Sequence, residues 1–337
     1  MQAIVLVGGE GTRLRPLTLV TPKPMVPIMN MPFLERTLRR LKAAGIEDVI
    51  LPAGYLPEAI AEAFGDGSGL GLRLRFVVEA TPLGTAGALK NVAEYITGPF
   101  FVLNGDVLTS LDLRAMLAYH RQKGGVATLH LIRVDDPSAF GCVVHDESGR
   151  IEAFVEKPPR GEEPTDEVNA GTYLLEREVL DAIPSGRPVS IERETFPALI
   201  AAGRPLYAYT TADYWIDLGR PEDYLSAHRH VFDGTMPLGL TAEIDGPGRA
   251  SVPRAALRPP VFVGRDCRIA ADAIVADSVL WDDVVVEAGA ALDRSIVASR
   301  ARIGAGARVE RGAVIGHGAT IAPGTVVQAN TRIAVEQ

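Results

Sequence analysis

A glycine-rich segment near the start of the chain has residue types that could hold a chain of phosphates. It reads GGEGTRLRPLTLVTPKPMVP over residues 8–27 and follows a short apolar run that predicts a buried strand. Glycine lets the backbone turn tightly and approach phosphate oxygens closely. Arg13 can donate two hydrogen bonds to one phosphate group, and Lys23 adds a compact positive charge between two prolines. The glycines of the segment are Gly8, Gly9 and Gly11.

The spacing of these residues narrows the kind of phosphate site. A GGxG sequence alone is usually only a tight turn, but Arg13, Lys23 and the preceding strand together favour a nucleotide site. The spacing differs from the GxxxxGK[ST] pattern of P-loop ATPases, which disfavours that class.

The elements that must position this segment follow an alternating pattern up to about residue 231. Strands are predicted over 3–7, 49–52, 74–78 and 100–103, and helices over 34–44, 57–64, 85–93 and 113–123. This alternation predicts βαβ units, and therefore an α/β, Rossmann-like domain with a mainly parallel sheet. Ligands of such sheets bind beyond the carboxyl ends of the strands. The loops after Val7 and Leu103 are therefore the first places to look for chemistry.

The C-terminal part repeats with a period of six residues. Nine of the ten residues found at every sixth position from 279 to 333 are β-branched, and small residues recur from 301 to 331. Val263, Ile269 and Val275 share the period in another phase, which predicts one short irregularity near residue 277. The pattern predicts a hexapeptide β-helix in which each of these sixth residues points inward and a small residue stands at each corner. It is similar to the left-handed β-helix of many acyltransferases and nucleotidyltransferases. Ordinary hairpins would not keep such a register.

The chain as a whole is expected to contain two domains and a connector. The prediction is a catalytic domain over 1–232, a Gly- and Pro-rich linker over 233–260 and the β-helix over 261–337. With 34 Lys and Arg against 42 Asp and Glu, the formal net charge is −8, which argues against a general nucleic-acid binder.

Cysteine usage and hydropathy suggest where the protein works. Cys142 and Cys267 cannot form a disulfide framework, which favours a reducing cytoplasm. The N-terminal apolar run lacks the basic region of a signal peptide. No run approaches the ~18 apolar residues of a membrane span, so no membrane association is expected.

The motifs GGEGTRLRPLT and PKPMVP together resemble the signature of the sugar nucleotidyltransferase family, also called nucleotide-sugar pyrophosphorylases. The resemblance implies transfer of a nucleoside monophosphate from an NTP to a sugar 1-phosphate, with release of pyrophosphate and a requirement for Mg²⁺. It also implies that the loop, including Thr12, holds the triphosphate, and that Arg13 and Lys23 stabilise the transferred phosphoryl group. Further matches span nearly all of residues 3–228.

Two of these matches concern the nucleobase and the metal. Residues 79–87 resemble the segment beside the base, where Gly84 and Thr85 would offer backbone groups. Thr85 would also suit a helix cap, and both roles are compatible. Asp106 and Asp217 match the two aspartates that hold Mg²⁺, an ion often bound by one or two carboxylates plus substrate phosphates. An aspartate after a strand is otherwise usually a turn former.

The remaining matches concern the sugar phosphate. They imply a sugar-phosphate site made of Gly141, Glu156, Lys157, Asn169 and Gly171. Trp215 is expected either to pack or to contact substrate. The six histidines show no metal-ligand spacing, and His228 and His230 are expected on a helix surface.

Within the family, the element PKP and residues 190–197 are most similar to the mannose-1-phosphate guanylyltransferase branch, which implies GTP and mannose 1-phosphate. Arg193 departs from the lysine that relatives often have there. The alternatives are glucose 1-phosphate with dTTP or UTP, and guanylyl transfer to a heptose or cyclitol phosphate.

Two alternatives lie outside this activity. A regulatory subunit would be expected to have an altered glycine loop, whereas this loop is intact. An acyltransferase would need a catalytic histidine in the β-helix, where only His317 is available. The β-helix is expected instead to join copies of the chain into a homo-oligomer.

Overall fold

The computed structural model describes residues 1–54, 56–237, 253 and 256–335. Most of the predicted linker, residues 238–252 and 254–255, lies outside the described residues. The chain forms two compact units, the first from Met1–Gly9 and Thr37–Trp215, the second from Glu10–Arg36 and Ile216–Gln337. The predicted domain boundaries stay a prediction. Among the helices of the described ranges, none is both long and apolar enough to span a membrane.

Short strands and helices alternate up to residue 232. The strands are β1 (Gln2–Leu6), β2 (Pro27–Ile28), β3 (Met31–Pro32), β4 (Asp48–Ala53), β5 (Arg73–Val78), β6 (Phe100–Asn104), β7 (Val107–Thr109), β8 (Ala127–Arg133), β9 (Gly141–His145), β10 (Ile151–Glu156), β11 (Glu167–Leu175), β12 (Leu206–Thr210) and β13 (Trp215–Asp217). The α-helices are α1 (Phe33–Ala43), α2 (Pro57–Phe64), α3 (Gly84–Asn91), α4 (Leu113–Lys123), α5 (Phe196–Ala201) and α6 (Pro221–Phe232).

The first unit is built on one sheet with the order β10-β9-β11-β6-β1-β4-β5, extended by β8 on β11 and β12 on β8. Strand β1 pairs in parallel with β4 and β6, and β4 pairs in parallel with β5, which confirms the predicted α/β class. The later strands β9, β10 and β11 add antiparallel pairs. The chain leaves β1 toward β4 and later returns to its other side as β6. The carboxyl ends of β1 and β6 therefore form the switch point at which such sheets bind ligands.

Local sequence explains why the predicted elements form. Helix α4 covers the predicted residues, because the Asp112 carboxylate accepts hydrogen bonds from two backbone amides of its first turn. Gly124 ends the helix in the left-handed conformation, at φ +66°. Met116 and His120 lie on its buried face. The apolar residues of the central strands form one core, which includes Ile4, Val102 and Tyr173.

Within residues 256–335, the second unit contains fourteen short strands of two or three residues. They are β14 (Leu257–Arg258), β15 (Phe262–Val263), β16 (Arg268–Ile269), β17 (Ile274–Ala276), β18 (Val279–Leu280), β19 (Val285–Val286), β20 (Ala291–Asp293), β21 (Ile296–Val297), β22 (Arg302–Ile303), β23 (Arg308–Val309), β24 (Val314–Ile315), β25 (Thr320–Ile321), β26 (Val326–Val327) and β27 (Arg332–Ile333). They form three parallel sheets, β14-β17-β20-β23-β26, β15-β18-β21-β24-β27 and β16-β19-β22-β25. This confirms the predicted hexapeptide array and is consistent with a left-handed β-helix.

The predicted repeat register is wrong between residues 279 and 291. The side chains expected to point inward there are Val279, Val285 and Ala291. The core instead contains Leu280, Val286 and Leu292. The physical reason is that two coils are one residue short. Val263 pairs with Leu280, a step of 17 residues, whereas the later Val297 pairs with Ile315, a step of 18.

The shortened coils place two irregularities in the β-helix where one was predicted. Asp277 and Arg294 stand at these corners with φ of +46° and +45°. Because successive side chains of a strand point to opposite faces, losing one corner residue moves the inward position by one.

Candidate active site

The loop after β1 and the turn after β6 lie side by side at the switch point of the sheet. The backbone amide of Gly105 donates a hydrogen bond to the carbonyl oxygen of Leu6, at 3.0 Å. A Cβ atom on Gly105 would overlap that oxygen, so only glycine fits there. Asp106 follows directly and thus stands beside the strand that leads into Gly8 and Gly9. The structure therefore brings the first glycines and the first predicted metal ligand to one edge.

A second tight contact joins this turn to the predicted sugar segment. Gly171 has φ +73°, and a Cβ atom on it would stand 2.7 Å from Nδ2 of Asn104. Among the described residues, the Oδ1 atom of Asn104 is buried and has no hydrogen-bond partner. A buried oxygen without a donor is costly, so this atom suits a donor or a cation brought by a ligand.

The predicted nucleobase segment packs against residues 187–192. Gly84 has φ +72°, and a Cβ atom there would stand 2.6 Å from the carbonyl oxygen of Val189. That same oxygen accepts hydrogen bonds from the amides of Ala86 and Gly87. The expectation that Thr85 caps the helix is wrong, since α3 has no side-chain cap. Its hydroxyl is instead used in a contact with Glu192.

Glu192 is the centre of a hydrogen-bonded chain that sequence reasoning missed. Its Oε2 accepts bonds from the hydroxyls of Thr85, at 2.7 Å, and Ser190, at 2.8 Å. Its Oε1 accepts from the hydroxyl of Tyr173 at 3.3 Å, and that hydroxyl in turn accepts from Nδ2 of Asn169 at 2.7 Å. This chain connects the predicted base segment to the predicted sugar segment.

Two local features set the shape around Glu192. It lies in a π-helical turn, Ile191–Thr195, an uncommon element that often marks functional sites. Strand β11 shifts its register on β8 between Asn169 and Tyr173, so the predicted sugar residues stand on an irregular stretch of strand.

Glu156 and Gly141 face each other across the β9–β10 pair. They are directly paired in the antiparallel ladder, and a Cβ atom on Gly141 would stand 2.7 Å from Oε2 of Glu156. Burial raises the pKa of Glu156 above its ordinary value, while the nearby Lys157 cation partly opposes this. The Lys157 Nζ atom lies 3.7 Å from Oε1 of Glu156. The structure therefore brings three of the predicted sugar-phosphate residues together.

The second unit contains the other predicted phosphate-binding groups. Gly11 has φ +62°, and a Cβ atom on it would stand 3.1 Å from Cβ of Lys23, so the lysine stem packs directly on this glycine. Thr12 and Arg13 follow in a short 3₁₀ helix, Thr12–Leu14. The Arg13 guanidinium lies against Gly219, whose added Cβ would stand 2.7 Å from its Nη2.

Asp217 ends β13, two residues before the glycine that contacts Arg13. In the described part of the chain, no three His, Cys, Asp or Glu side chains form a metal-binding cluster. Magnesium in nucleotide sites is usually held by one or two carboxylates plus substrate phosphates, and it prefers oxygen ligands. Asp106 in the first unit and Asp217 in the second each carry a carboxylate of the kind that this ion prefers.

Several residues beyond the predicted set shape the site. Glu79 has a carboxylate oxygen 3.8 Å from the Cβ position of Gly8, and burial raises the pKa of this carboxyl group. Trp215 packs edge-on against Phe140 and donates a hydrogen bond to the Ala170 carbonyl, which identifies it as a packing residue. The sequence signals for Gly105, Glu192 and Gly219 were their positions inside the matched motifs.

The expectation that His228 lies on a helix surface is wrong. The ring is 2% exposed, its Nε2 accepts a hydrogen bond from the Met29 amide, and its Nδ1 donates to the Tyr224 carbonyl. Burial lowers the pKa of His228 to about 4. The residue pattern of α6 could not predict this burial, because the partner Met29 is distant in sequence.

Comparisons with known proteins agree with this geometry. The chain matches the Nucleotidyl transferase family over residues 2–234 and the GMPPB C-terminal domain over residues 248–335. It is 46% identical to the mannose-1-phosphate guanylyltransferase of Mycobacterium tuberculosis, over 87% of this chain and 83% of that protein. It is 39% identical to the mannose-1-phosphate guanylyltransferase 1 of Arabidopsis thaliana, over 88% and 81% respectively.

A solved structure with similar folding is HddC from Yersinia pseudotuberculosis complexed with GMP-PN. The TM-score is 0.58 at 32% identity, and the match covers 67% of this chain and 97% of HddC. With the strand-end glycines, the Asp106 turn and the family match in agreement, the chain belongs to the nucleotidyl transferase family.

Proposed function

We propose that the protein transfers GMP from GTP to mannose 1-phosphate, forming GDP-mannose and pyrophosphate. The observation that best supports this is the similarity to two mannose-1-phosphate guanylyltransferases, each matched over more than 80% of its length. The GMP-PN complex of HddC supports a guanine nucleotide independently.

The reaction places two anions against each other. The sugar phosphate is mostly doubly ionised near neutral pH, because its second pKa is about 6. One of its oxygens attacks the α-phosphorus of GTP in line, the bond from that phosphorus to the β-phosphate oxygen breaks, and pyrophosphate leaves. No general base is needed, so catalysis consists of positioning and charge stabilisation.

The proposed roles follow the position of each group. The glycine loop with Thr12 holds the triphosphate, and Arg13 and Lys23 offset the charge that develops on the transferred phosphoryl group. Asp106 and Asp217 would hold Mg²⁺, which when bound neutralises phosphate charge. The packing of Lys23 on Gly11 and of Arg13 on Gly219 supports fixed positions for both cations.

Recognition is proposed to rest on the first unit. The Glu156 carboxylate and Asn169 bind sugar hydroxyls, Gly141 and Gly171 make room for the ring, and Lys157 binds the sugar phosphate. Gly84 and Thr85 border the base. A site that pairs the donor and acceptor edge of guanine rejects bases lacking that edge, because buried polar groups are then left unpaired.

A substrate panel tests the proposal. Pyrophosphate release is measured for GTP, dTTP, UTP and ATP, each with mannose 1-phosphate and glucose 1-phosphate, with and without Mg²⁺. We expect GTP with mannose 1-phosphate to have the highest kcat/KM and turnover to stop when Mg²⁺ is chelated. A tenfold preference for dTTP or UTP with glucose 1-phosphate, about 1.4 kcal/mol in transition-state binding, would leave only the family assignment.

Two further expectations concern the cellular location and the oligomeric state. The cytoplasmic location stays a prediction from cysteine usage, and both cysteines are buried and unpaired.

Self-association through the β-helix is supported by the sheet containing β17 and β26, whose outward residues Ile274 and Val326 are 38% and 45% exposed. Light scattering of the wild-type chain and of Val326→Glu tests this. A monomeric wild-type chain would contradict it.

A further inference from the structure

One sheet of the β-helix differs from the other two on its outer side. In the sheet β15-β18-β21-β24-β27, the outward residues of the first four strands are apolar and at most 4% exposed. They are Phe262, Val279, Ile296 and Val314. We call these four residues and the strands that carry them the apolar face. On the other two sheets, the outward residues include the exposed Arg268, Arg302 and Arg308. The apolar face is therefore covered by other parts of the protein.

Helix α6 supplies part of this cover, because the rings of His228 and Phe232 pack on Phe262 with centroid distances of 4.8 and 5.2 Å. The segment that contains Arg13 and Lys23 contacts the strands and corners of the same sheet. Residues Glu10–Arg36 and the β-helix belong to the same compact unit. The segment consists mainly of short 3₁₀ turns and a two-stranded hairpin, β2-β3. Such elements lack the continuous backbone hydrogen bonding of a long helix or a wide sheet, so their positions depend strongly on what they pack against.

Arg332, the first residue of β27, holds the start of the segment. Its Nη1 donates hydrogen bonds to the carbonyl oxygens of Arg13, at 2.9 Å, and Arg15, at 3.3 Å. The Arg13 carbonyl lies within the 3₁₀ turn Thr12–Leu14, and Arg15 directly follows that turn. A guanidinium on two carbonyls fixes direction as well as distance, because its donors form a planar fork.

The middle of the segment rests on His317 and Gly316, directly after β24. The Nε2 atom of His317 lies 3.2 Å from the carbonyl oxygen of Leu17, and a carbonyl only accepts, so Nε2 carries the proton. The same atom lies 3.2 Å from the Thr21 hydroxyl. A Cβ atom on Gly316 would stand 3.1 Å from Cβ of Pro16, so glycine is needed for this close approach.

The end of the segment is held by β15 and the residue after β18. The Asn30 amide group donates to the Val263 carbonyl at 2.9 Å. The Trp281 indole donates to the Tyr224 hydroxyl at 3.0 Å, and that hydroxyl donates to the Pro27 carbonyl at 2.6 Å. Contacts therefore reach the segment from several coils of one sheet.

From these contacts we propose that the apolar face and its flanking residues Trp281, His317 and Arg332 position the segment Glu10–Arg36, and so set the rate of nucleotidyl transfer. This inference rests on the proposed function. Arg13 and Lys23 act through the position of their charge, and a displacement of about 1 Å can reduce a rate by up to about 100-fold. The β-helix residues are thus positioning residues that touch no substrate.

The test uses Arg332→Ala and Arg332→Lys in the full chain, with Arg308→Ala as the matched control. Arg308 is also the exposed first residue of a two-residue strand, but on another sheet. Two quantities are measured, the hydrogen–deuterium exchange of amides 10–25 and the separate kcat and KM of each substrate.

We expect Arg332→Ala to exchange faster over residues 10–25 and to lower kcat about tenfold with little change in KM. Arg332→Lys should restore part of both, and Arg308→Ala should match the wild type. Wild-type exchange in Arg332→Ala would overturn the proposal, as would faster exchange with unchanged kcat. A wild-type chain without turnover would refute the proposed function, while the exchange comparison would still decide whether Arg332 holds the segment.

Discussion

The groups assigned to recognition and the groups assigned to charge are held in different ways. In the first unit, side-chain hydrogen bonds of 2.7–3.3 Å connect Asn169, Tyr173, Glu192 and Thr85. In the second unit, Arg13 and its neighbours lie on turns whose carbonyls are bonded by the β-helix. A mutual network fixes a few side chains accurately, whereas an external support fixes a whole stretch of backbone. Changes in the first should therefore alter KM most, and changes in the second kcat.

The largest effect is expected from substituting Asp106 in the first unit and Asp217 in the second. These substitutions test whether the two units serve one reaction. Asp106→Asn and Asp217→Asn should each lower kcat by at least about 100-fold, because each removes a charge from the proposed Mg²⁺ site. Steady-state rates at increasing Mg²⁺, with circular dichroism as the folding control, measure this. If either variant keeps near-normal activity, that residue is not a metal ligand.

Gly219→Ala tests the placement of Arg13. The new Cβ would stand 2.7 Å from Nη2 of Arg13 and push the guanidinium aside. We expect kcat to fall by about 10- to 100-fold, with smaller changes in KM. Gly98→Ala is the control, because a Cβ atom there meets nothing within 4 Å. An unchanged kcat would show that Arg13 can move without loss.

Glu192→Gln tests the recognition network. The amide that replaces one carboxylate oxygen would face hydroxyl donors of Thr85, Ser190 or Tyr173, so the network must rearrange. We expect KM to rise about tenfold for both substrates, while kcat changes less. Glu194→Gln, on an exposed carboxylate paired with Arg187, is the matched control. A change confined to kcat would contradict the separation of roles.

The smallest effect concerns the stability of the β2-β3 hairpin in the segment Glu10–Arg36. His228 is neutral when folded, and protonation would place a proton on Nε2 against the Met29 amide. Its folded pKa of about 4 lies below the ordinary 6.5, so its contribution is complete above pH 6.5 and is lost as pH falls toward 4.

Between pH 7 and pH 5, this loss should be about 2 kcal/mol in the free energy of unfolding. Urea titrations at both pH values should show that His228→Gln weakens the pH dependence, whereas His230→Gln on the same helix keeps it. Equal pH dependence in the His228 variant and the wild type would contradict the assignment.

Residue patterns predicted the elements well where signals are local. The strands β1 and β6 follow from apolar runs, and α4 from its cap and its helical spacing. The β-helix followed from its six-residue period. The two shortened coils could not be predicted in the same way. At 279, 285 and 291, the residue and the one after it are both apolar, so either could point into the core.

The supports of the site were harder to predict, for two different reasons. The bond between His228 and Met29 joins residues far apart in sequence, and no local pattern reports such a pair. The apolar face did leave a signal, since Phe262, Val279, Ile296 and Val314 recur every 17 or 18 residues. That period of 17 or 18 residues corresponds to one whole coil, so it is not visible in the six-residue period of single hexapeptides.

The π-turn at Ile191–Thr195 makes the network around Glu192 sensitive to chain length. The turn runs directly into α5, whose Phe196 and Leu199 are anchored in the core. A π-turn contains one residue more than an α-helical turn, so it behaves as a one-residue insertion in a helix. Deleting one residue there would rotate Glu192 by about 100° about the helix axis relative to α5. The carboxylate would then leave Thr85 and Tyr173, so the hydrogen-bonded chain depends on the length of this turn as much as on its composition.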